Sequence, residues 1–342
     1  MSSLPPLRPP QDPEFRAFLA YSAEIGRDRL LVQGPGGNTS FKEDGVLWVK
    51  ASGTWLREAE SRPIMIPLTL DPLREAVRTG DPRAETALDF VLPHDGPALR
   101  PSVEATLHAA LPQRVVIHVH CVETLAWAVR ADAEAALTPR LAGLDWRFLP
   151  YVRPGPPLTR SLLALSIRGA PDIVVLGQHG LVVAGATVEE ASARLGEVRK
   201  RLARPVRPAP VADEARLARL AAETPYRPGP AEAQHLALDP ASLALARRGS
   251  LYPDHVVFLG AGLVTCSAAS LARQSAPMVV APDEGVFIRR DAPPAVEALT
   301  LGLADVTARL DPAEPVIPLD AAAEAELLGW EAEHYRKRLA SS

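Results

Sequence analysis

Apolar residues recur along this chain at two spacings, one helical and one alternating. Over residues 13–30, Phe15, Phe18, Leu19 and Ile25 fall at helical intervals and Gly26 marks a stop, so the spacing predicts a helix. A glycine-rich bend, Gly34-Pro35-Gly36-Gly37, then enters a strand, and residues 46–50 predict a second one. Glu43-Asp44-Gly45 between them has the composition of a hairpin turn. Residues 71–92 predict one or two helices, broken near Gly80 and Pro82. Pro101 or Ser102 opens a short helix running to about Leu111, with Glu104 in its first turn. Residues 115–120 form a β-branched run, the pattern of a buried strand. A helix over 122–130, a strand over 148–151 and a helix over 158–168 follow. Strands at 173–176 and 181–183 and an amphipathic helix over 187–203 complete this part.

Residues 204–210, Arg-Pro-Val-Arg-Pro-Ala-Pro, predict a stiff extended linker and a domain boundary. The expected division is therefore 13–203, a linker at 204–210, and a smaller α/β domain over 211–342. In the latter, strands are expected at 255–259, 263–265, 277–281 and 286–289. Helices are expected at 214–222, 240–248, 294–309 and 320–340. Several strands neighbour one another in sequence, so the sheet should be mixed or largely antiparallel, with helices outside it.

Composition narrows the classes. The chain has 342 residues, 47% of them hydrophobic and 23% charged, which is ordinary for a globular protein. A net charge of −4 implies no general attraction to nucleic acid or to an anionic membrane. No apolar stretch is long enough for a membrane span, and the proline-rich start does not look like a secretory signal. Cys121 and Cys266 are far apart in apolar stretches and are expected as buried free thiols. A cytoplasmic location is the expectation.

Candidate chemistry centres on three histidines. Residues two apart on a strand share a face, so His118 and His120 can present paired imidazoles at a sheet edge. His179 follows another apolar run, Val174-Val175-Leu176-Gly177-Gln178. Three neutral imidazoles with an open fourth position are the ligand set of a catalytic divalent metal, most often zinc. Cys121 follows His120 but would face away from both histidines. Glu104, just upstream of the His118 strand, is the leading carboxylate for a further ligand or for proton transfer. The segment Gly36-Gly37-Asn38-Thr39-Ser40 has the composition of an anion cradle, and Lys50-Ala51-Ser52-Gly53 adds a second donor-rich turn.

These blocks carry a family resemblance. Gly37-Asn38-Thr39-Ser40, Lys50-Ala51-Ser52-Gly53, Pro101-Ser102-Val103-Glu104, His118-Val119-His120 and Gly177-Gln178-His179-Gly180 occur in the order of the class II aldolase/adducin family. The resemblance covers roughly residues 13–203. It implies a three-layer α/β/α domain around a central, largely antiparallel sheet, and a homotetramer with sites between subunits. It also implies that His118, His120 and His179 bind Zn2+, or another divalent ion such as Mn2+, Co2+ or Mg2+. Glu104 would serve as ligand or as acid/base. Gly37, Asn38, Thr39, Ser52, Gly53 and Ser102 would hold a sugar or sugar-phosphate substrate. Tyr151-Val152-Arg153-Pro154-Gly155, Pro253-Asp254-His255 and the tail 330–336 resemble the aldolase part of rhamnulose-phosphate aldolase/alcohol dehydrogenase fusions, without the dehydrogenase half.

Two departures matter. Val103 stands where many aldolases have a second serine, which weakens the case for a phosphorylated substrate, and Gln178 stands where asparagine is common. The implied activity is an aldolase-type lyase that breaks a carbon–carbon bond of a ketose phosphate or related hydroxy-keto sugar through a metal-stabilised enediolate. Decarboxylation of a 3-keto sugar acid, epimerisation and dehydration share that chemistry. A non-catalytic scaffold is the alternative of a different class. His108, four residues after Glu104, is a candidate partner of the site or a structural residue. His94, His235 and His334 are expected at the surface, and His255 at the start of a strand. Tyr151 and Arg153 are either substrate contacts or loop packing.

Overall fold

Seven strands form the sheet that organises the first half of the chain. They are β1 (Asn38–Glu43), β2 (Val46–Lys50), β3 (Met65–Thr69), β4 (Val115–Val119), β5 (Trp146–Leu149), β6 (Ile173–Leu176) and β7 (Gly180–Gly185). Their order is β3-β2-β1-β4-β7-β6-β5, and every neighbouring pair is antiparallel except β5 with β6. This computed structural model describes residues 6–166 and 169–340. The end of the helix expected over 158–168 therefore lies outside the described residues; the helix itself is Pro156–Leu165.

The two faces of the sheet are built from alternating residues, as strand geometry requires. On one face Phe41 and Trp48 meet Phe15 and Phe18 of α1 (Pro13–Arg27) in an aromatic cluster. On the other face Leu47, Val49 and Leu68 pack under α2 (Leu70–Thr79) and α3 (Ala105–Ala110). Further along that face, Val116, Val174 and Val182 pack with Leu107, Leu158 and Leu162. Helices thus flank a central, largely antiparallel sheet, which is the three-layer α/β/α arrangement expected. The hairpin turn falls at Asp44 and Gly45, both at positive φ.

The chain divides into two compact units. The second has its own three-stranded antiparallel sheet, ordered β8 (Tyr226–Pro228), β10 (Gly285–Arg289), β9 (Met278–Ala281). Helices Glu214–Ala221, Pro240–Ala246 and Pro294–Thr307 belong to it.

Several expected elements differ. β3 and β8 were not expected. Residues 255–259 form a π-helical turn rather than a strand. All five are buried, and a short, wholly buried apolar run has no periodicity to separate helix from strand. His255 is buried in that turn, its Nδ1 accepting from Leu251 N. Residues 263–265 contribute only an isolated bridge, Thr265 to Val280. The helix expected over 320–340 is two, Ala321–Gly329 and Glu331–Leu339, separated at Trp330, whose backbone is extended. Cys266 is half-buried rather than buried, and so are His94 and His235, which were expected at the surface; His334 is exposed.

Lys42 on β1 is buried, and its Nζ donates to Gln113 O at 2.8 Å. Burial, with the nearby charge of Arg74, pushes its pKa down from 10.5 to about 7. The unfolded chain therefore binds more protons than the folded one between pH 7 and 10.5, and stability gains a rising component across that window. Lys42→Met is expected to stabilise the fold by roughly 1–3 kcal/mol at neutral pH and to remove that component. Urea unfolding of both proteins at pH 6, 7 and 9 checks this; equal pH slopes would refute it.

Candidate metal centre

β4 lies at the middle of the seven-stranded sheet, and its C-terminal end carries His118 followed by His120. The two rings lie on one side, with centroids 5.0 Å apart. His179 sits in the short turn that joins β6 to β7, the strand paired with β4. One ligand nitrogen from each of His118, His120 and His179 lies within 4.8 Å of the others, and all three residues are buried. Among the described residues this is the group of His, Cys, Asp and Glu side chains placed to hold a metal ion.

Backbone constraints make this convergence possible. Gly180 lies so close to β4 that an added Cβ would stand 2.5 Å from Val119 O and 3.3 Å from His118 Cε1. Gly37 has φ +61°, and a Cβ there would be 2.9 Å from His118 O. Gln178 has φ 52°, a left-handed conformation that a non-glycine residue adopts at a cost. It is held there by its N–H on Ala128 O and its Nε2 on Ile317 O. Asparagine tolerates this backbone region better than glutamine.

Hydrogen bonding fixes the tautomer of His118. Its Nδ1 lies 3.1 Å from Leu181 O, and a carbonyl can only accept, so Nδ1 carries the proton. In the neutral ring Nε2 then holds the lone pair a metal needs. That Nε2 faces Glu104 Oε2 at 3.3 Å. A shared proton or a metal cation stabilises two electron-rich atoms so placed, and three imidazoles beside a carboxylate are a donor set that suits a divalent ion.

Glu104 is 3% exposed and is the N-cap residue of α3 rather than part of its first turn. Its backbone N donates to Ser102 Oγ at 3.2 Å, and its Oε2 accepts from Asn38 Nδ2 at 2.9 Å. Asn38 is cross-strand partner to His118, so the two share a face. Thr39 points to the opposite face, where its hydroxyl meets Ser22 Oγ of α1 at 2.8 Å. Its side chain is therefore not directed with Asn38, as strand alternation dictates.

The two donor-rich turns come together. Lys50 at the end of β2 donates from Nζ to Pro35 O in the glycine-rich bend, at 3.1 Å. Ala51 bridges Pro101, Ser52 N donates to Arg100 O, and Ser102 N donates to Lys50 O. These bonds tie the turn that carries Ser52 to the segment that carries Ser102, and Gly53 takes φ +79°. Cys121 is buried with its Sγ 3.3 Å from Glu123 Oε2, and burial pushes its thiol pKa up to about 12; it is not part of the histidine group. Arg153 pairs with Glu85 at 2.8 Å.

One set of contacts was not anticipated. His108 touches Asn38 and Ser40 rather than the Glu104 side chain: its Nε2 meets Asn38 Oδ1, and its Nδ1 meets Ser40 Oγ at 2.7 Å. Burial first, and then the charge of Lys42, push its pKa down to about 3, so the ring is neutral. The signal was present as two spacings: Asn38 and Ser40 two apart on a strand, Glu104 and His108 four apart at a helix start.

Residues 16–204 match the family described as Class II Aldolase and Adducin N-terminal domain. A curated relative from Bacillus subtilis, named uncharacterized oxidoreductase YuxG, is 33% identical over 179 residues. Those residues are 48% of this chain but 25% of that protein, so the chain spans about a quarter of its length. The N-terminal class II aldolase domain of a Thermoplasma acidophilum protein is 27% identical with a TM-score of 0.48, covering 59% of this chain and 97% of that one. A sugar-phosphate aldolase from Thermotoga maritima is 16% identical with a TM-score of 0.43, covering 55% and 90%.

Proposed function

The chain belongs to the class II aldolase and adducin family, and on that premise we propose that it is a divalent-metal-dependent lyase. Its substrate is a ketose phosphate or related hydroxy-keto sugar, in which it breaks a carbon–carbon bond beside the carbonyl. The observation that carries this reading is the buried set of three imidazoles with the Glu104 carboxylate 3.3 Å from His118 Nε2. A scaffold has no need to bury four such groups together, since each forfeits hydration. His118, His120 and His179 hold the ion, zinc by preference for nitrogen ligands. When bound, the ion supplies a Lewis acid that polarises the substrate carbonyl. Glu104 gives a proton to the carbon next to the carbonyl when the bond breaks and takes it back in the reverse direction, while the proton that the cleaved hydroxyl loses as it becomes the aldehyde oxygen passes to water. Asn38, Ser52, Gly53 and Ser102, with backbone donors from Gly37, line the anionic end of the substrate. We assign 13–203 to this domain, 204–210 to a linker and 211–342 to a separate unit. A homo-oligomer in the cytoplasm completes the reading.

No helix of the described residues is long and apolar enough to cross a membrane. The test is a panel of ketose phosphates and unphosphorylated hydroxy-keto sugars, with aldehyde release followed after reconstitution with zinc, manganese or cobalt. Cleavage of at least one member, abolished by chelator and restored by metal, is the expected result. A metal-loaded protein that cleaves none of them refutes the lyase reading.

A further inference from the structure

A chain of four buried polar side chains runs from β1 to the candidate carboxylate: Ser40, His108, Asn38 and Glu104. Chemistry fixes its direction. An ionised carboxylate only accepts, so the Asn38 amide turns its Nδ2 to Glu104, at 2.9 Å. Its Oδ1 therefore faces His108, and an amide oxygen only accepts, so His108 Nε2 is the donor. In the neutral ring Nδ1 accepts, and the Ser40 hydroxyl donates to it at 2.7 Å.

An asparagine amide can turn end over end, and here the two orientations differ sharply. Turned the other way, Asn38 would set its oxygen against the carboxylate and its NH2 against the Nε2–H of His108. With its proton on Nε2, the ring opposes this orientation. We propose that His108 is a positioning residue, which locks the Asn38 amide so that its NH2 holds the Glu104 carboxylate at His118 Nε2. The proposal deepens the lyase reading and rests on Glu104 being the proton carrier there. His108 touches no reacting group; it acts through Asn38.

Two measurements test it on the full chain. The first is nitrogen NMR of the zinc-loaded protein labelled with 15N-histidine, the His108 signals being assigned by their loss in His108→Gln. A ring protonated at Nε2 and accepting at Nδ1 is the expected result, whereas a ring protonated only at Nδ1 overturns the proposal. The second uses dihydroxyacetone phosphate in D2O as probe and follows deuterium entering the carbon beside the carbonyl. His108→Leu has no donor, so kcat should fall about tenfold or more with KM within about twofold and metal content unchanged. His108→Gln places an amide NH2 near the position of Nε2 and should recover most of kcat. A His108→Leu protein with wild-type kcat, or a Gln variant as impaired as the Leu variant, overturns the proposal. A wild-type protein that leaves the probe undeuterated counts against the lyase reading instead, and the His108 tautomer then decides the positioning role alone.

Discussion

Alanine at both His118 and His120 should reduce the metal content of the purified protein from about one divalent ion per chain to a trace. Each imidazole is buried, and both ligand nitrogens lie with that of His179 in one cluster. A single remaining imidazole cannot compete with water for zinc, because the affinity of such a site comes from several pre-placed donors acting on one ion. The same change has a thermal signature. A ligand that binds only the folded chain stabilises it by about 2.7 kcal/mol at a hundred times its dissociation constant. For a chain of 342 residues that corresponds to a rise in Tm of roughly 4 °C on adding zinc. The wild-type protein should show that rise and the double variant should not, although the variant will also start lower because two buried rings are lost. The comparison is therefore between the zinc-induced shifts and not between the absolute Tm values. If wild-type and variant proteins shift equally, the ion is held elsewhere.

The parts of this site that could be read from the sequence were those set by short-range periodicity. His118 and His120 share a face because a strand repeats every two residues, and the β-branched run around them is the pattern of a buried strand, which β4 forms. The glycine bend, the hairpin at Asp44-Gly45 and the β6–β7 turn are likewise local, each marked by residues suited to positive φ. Strand order is not local. That β1 lies against β4, making Asn38 the cross-strand partner of His118, depends on which sheet edges meet, and no spacing within either segment encodes it. The same holds for Asn38 lying between Glu104 and His108, a junction of residues 66 and 70 positions apart. Thr39 shares with Asn38 a segment whose composition and family resemblance suggest an anion cradle, but strand alternation sends its hydroxyl to Ser22 on the other face. In the second unit the π-helical turn at 255–259 was obscured for a different reason: burial on every side erased the polar pattern that tells helix from strand.

Replacing Glu104 by glutamine should lower kcat by a factor of about 10²–10⁴, a barrier increase of roughly 3–5 kcal/mol, while metal content stays at the wild-type level. The substitution is nearly isosteric, and the contact with Asn38 survives it. The oxygen that now accepts from Asn38 Nδ2 at 2.9 Å becomes the amide oxygen of glutamine, which accepts equally well. The histidines keep their positions because β4 and the β6–β7 turn set them, not Glu104. What glutamine cannot do is take up and return a proton near neutral pH, so the loss isolates that one capacity. Binding of the substrate's anionic end lies with Gly37, Asn38, Ser52, Gly53 and Ser102 in the proposed arrangement, none of which is changed, so KM should move by less than about threefold. The zinc-induced rise in Tm should persist in this variant, in contrast to the double histidine variant. Turnover within about twofold of wild type would remove Glu104 from the proton transfer and leave it as a ligand at most. Loss of the ion together with turnover would mean that the carboxylate is needed to hold the metal, and the proton would then have to be carried by another group.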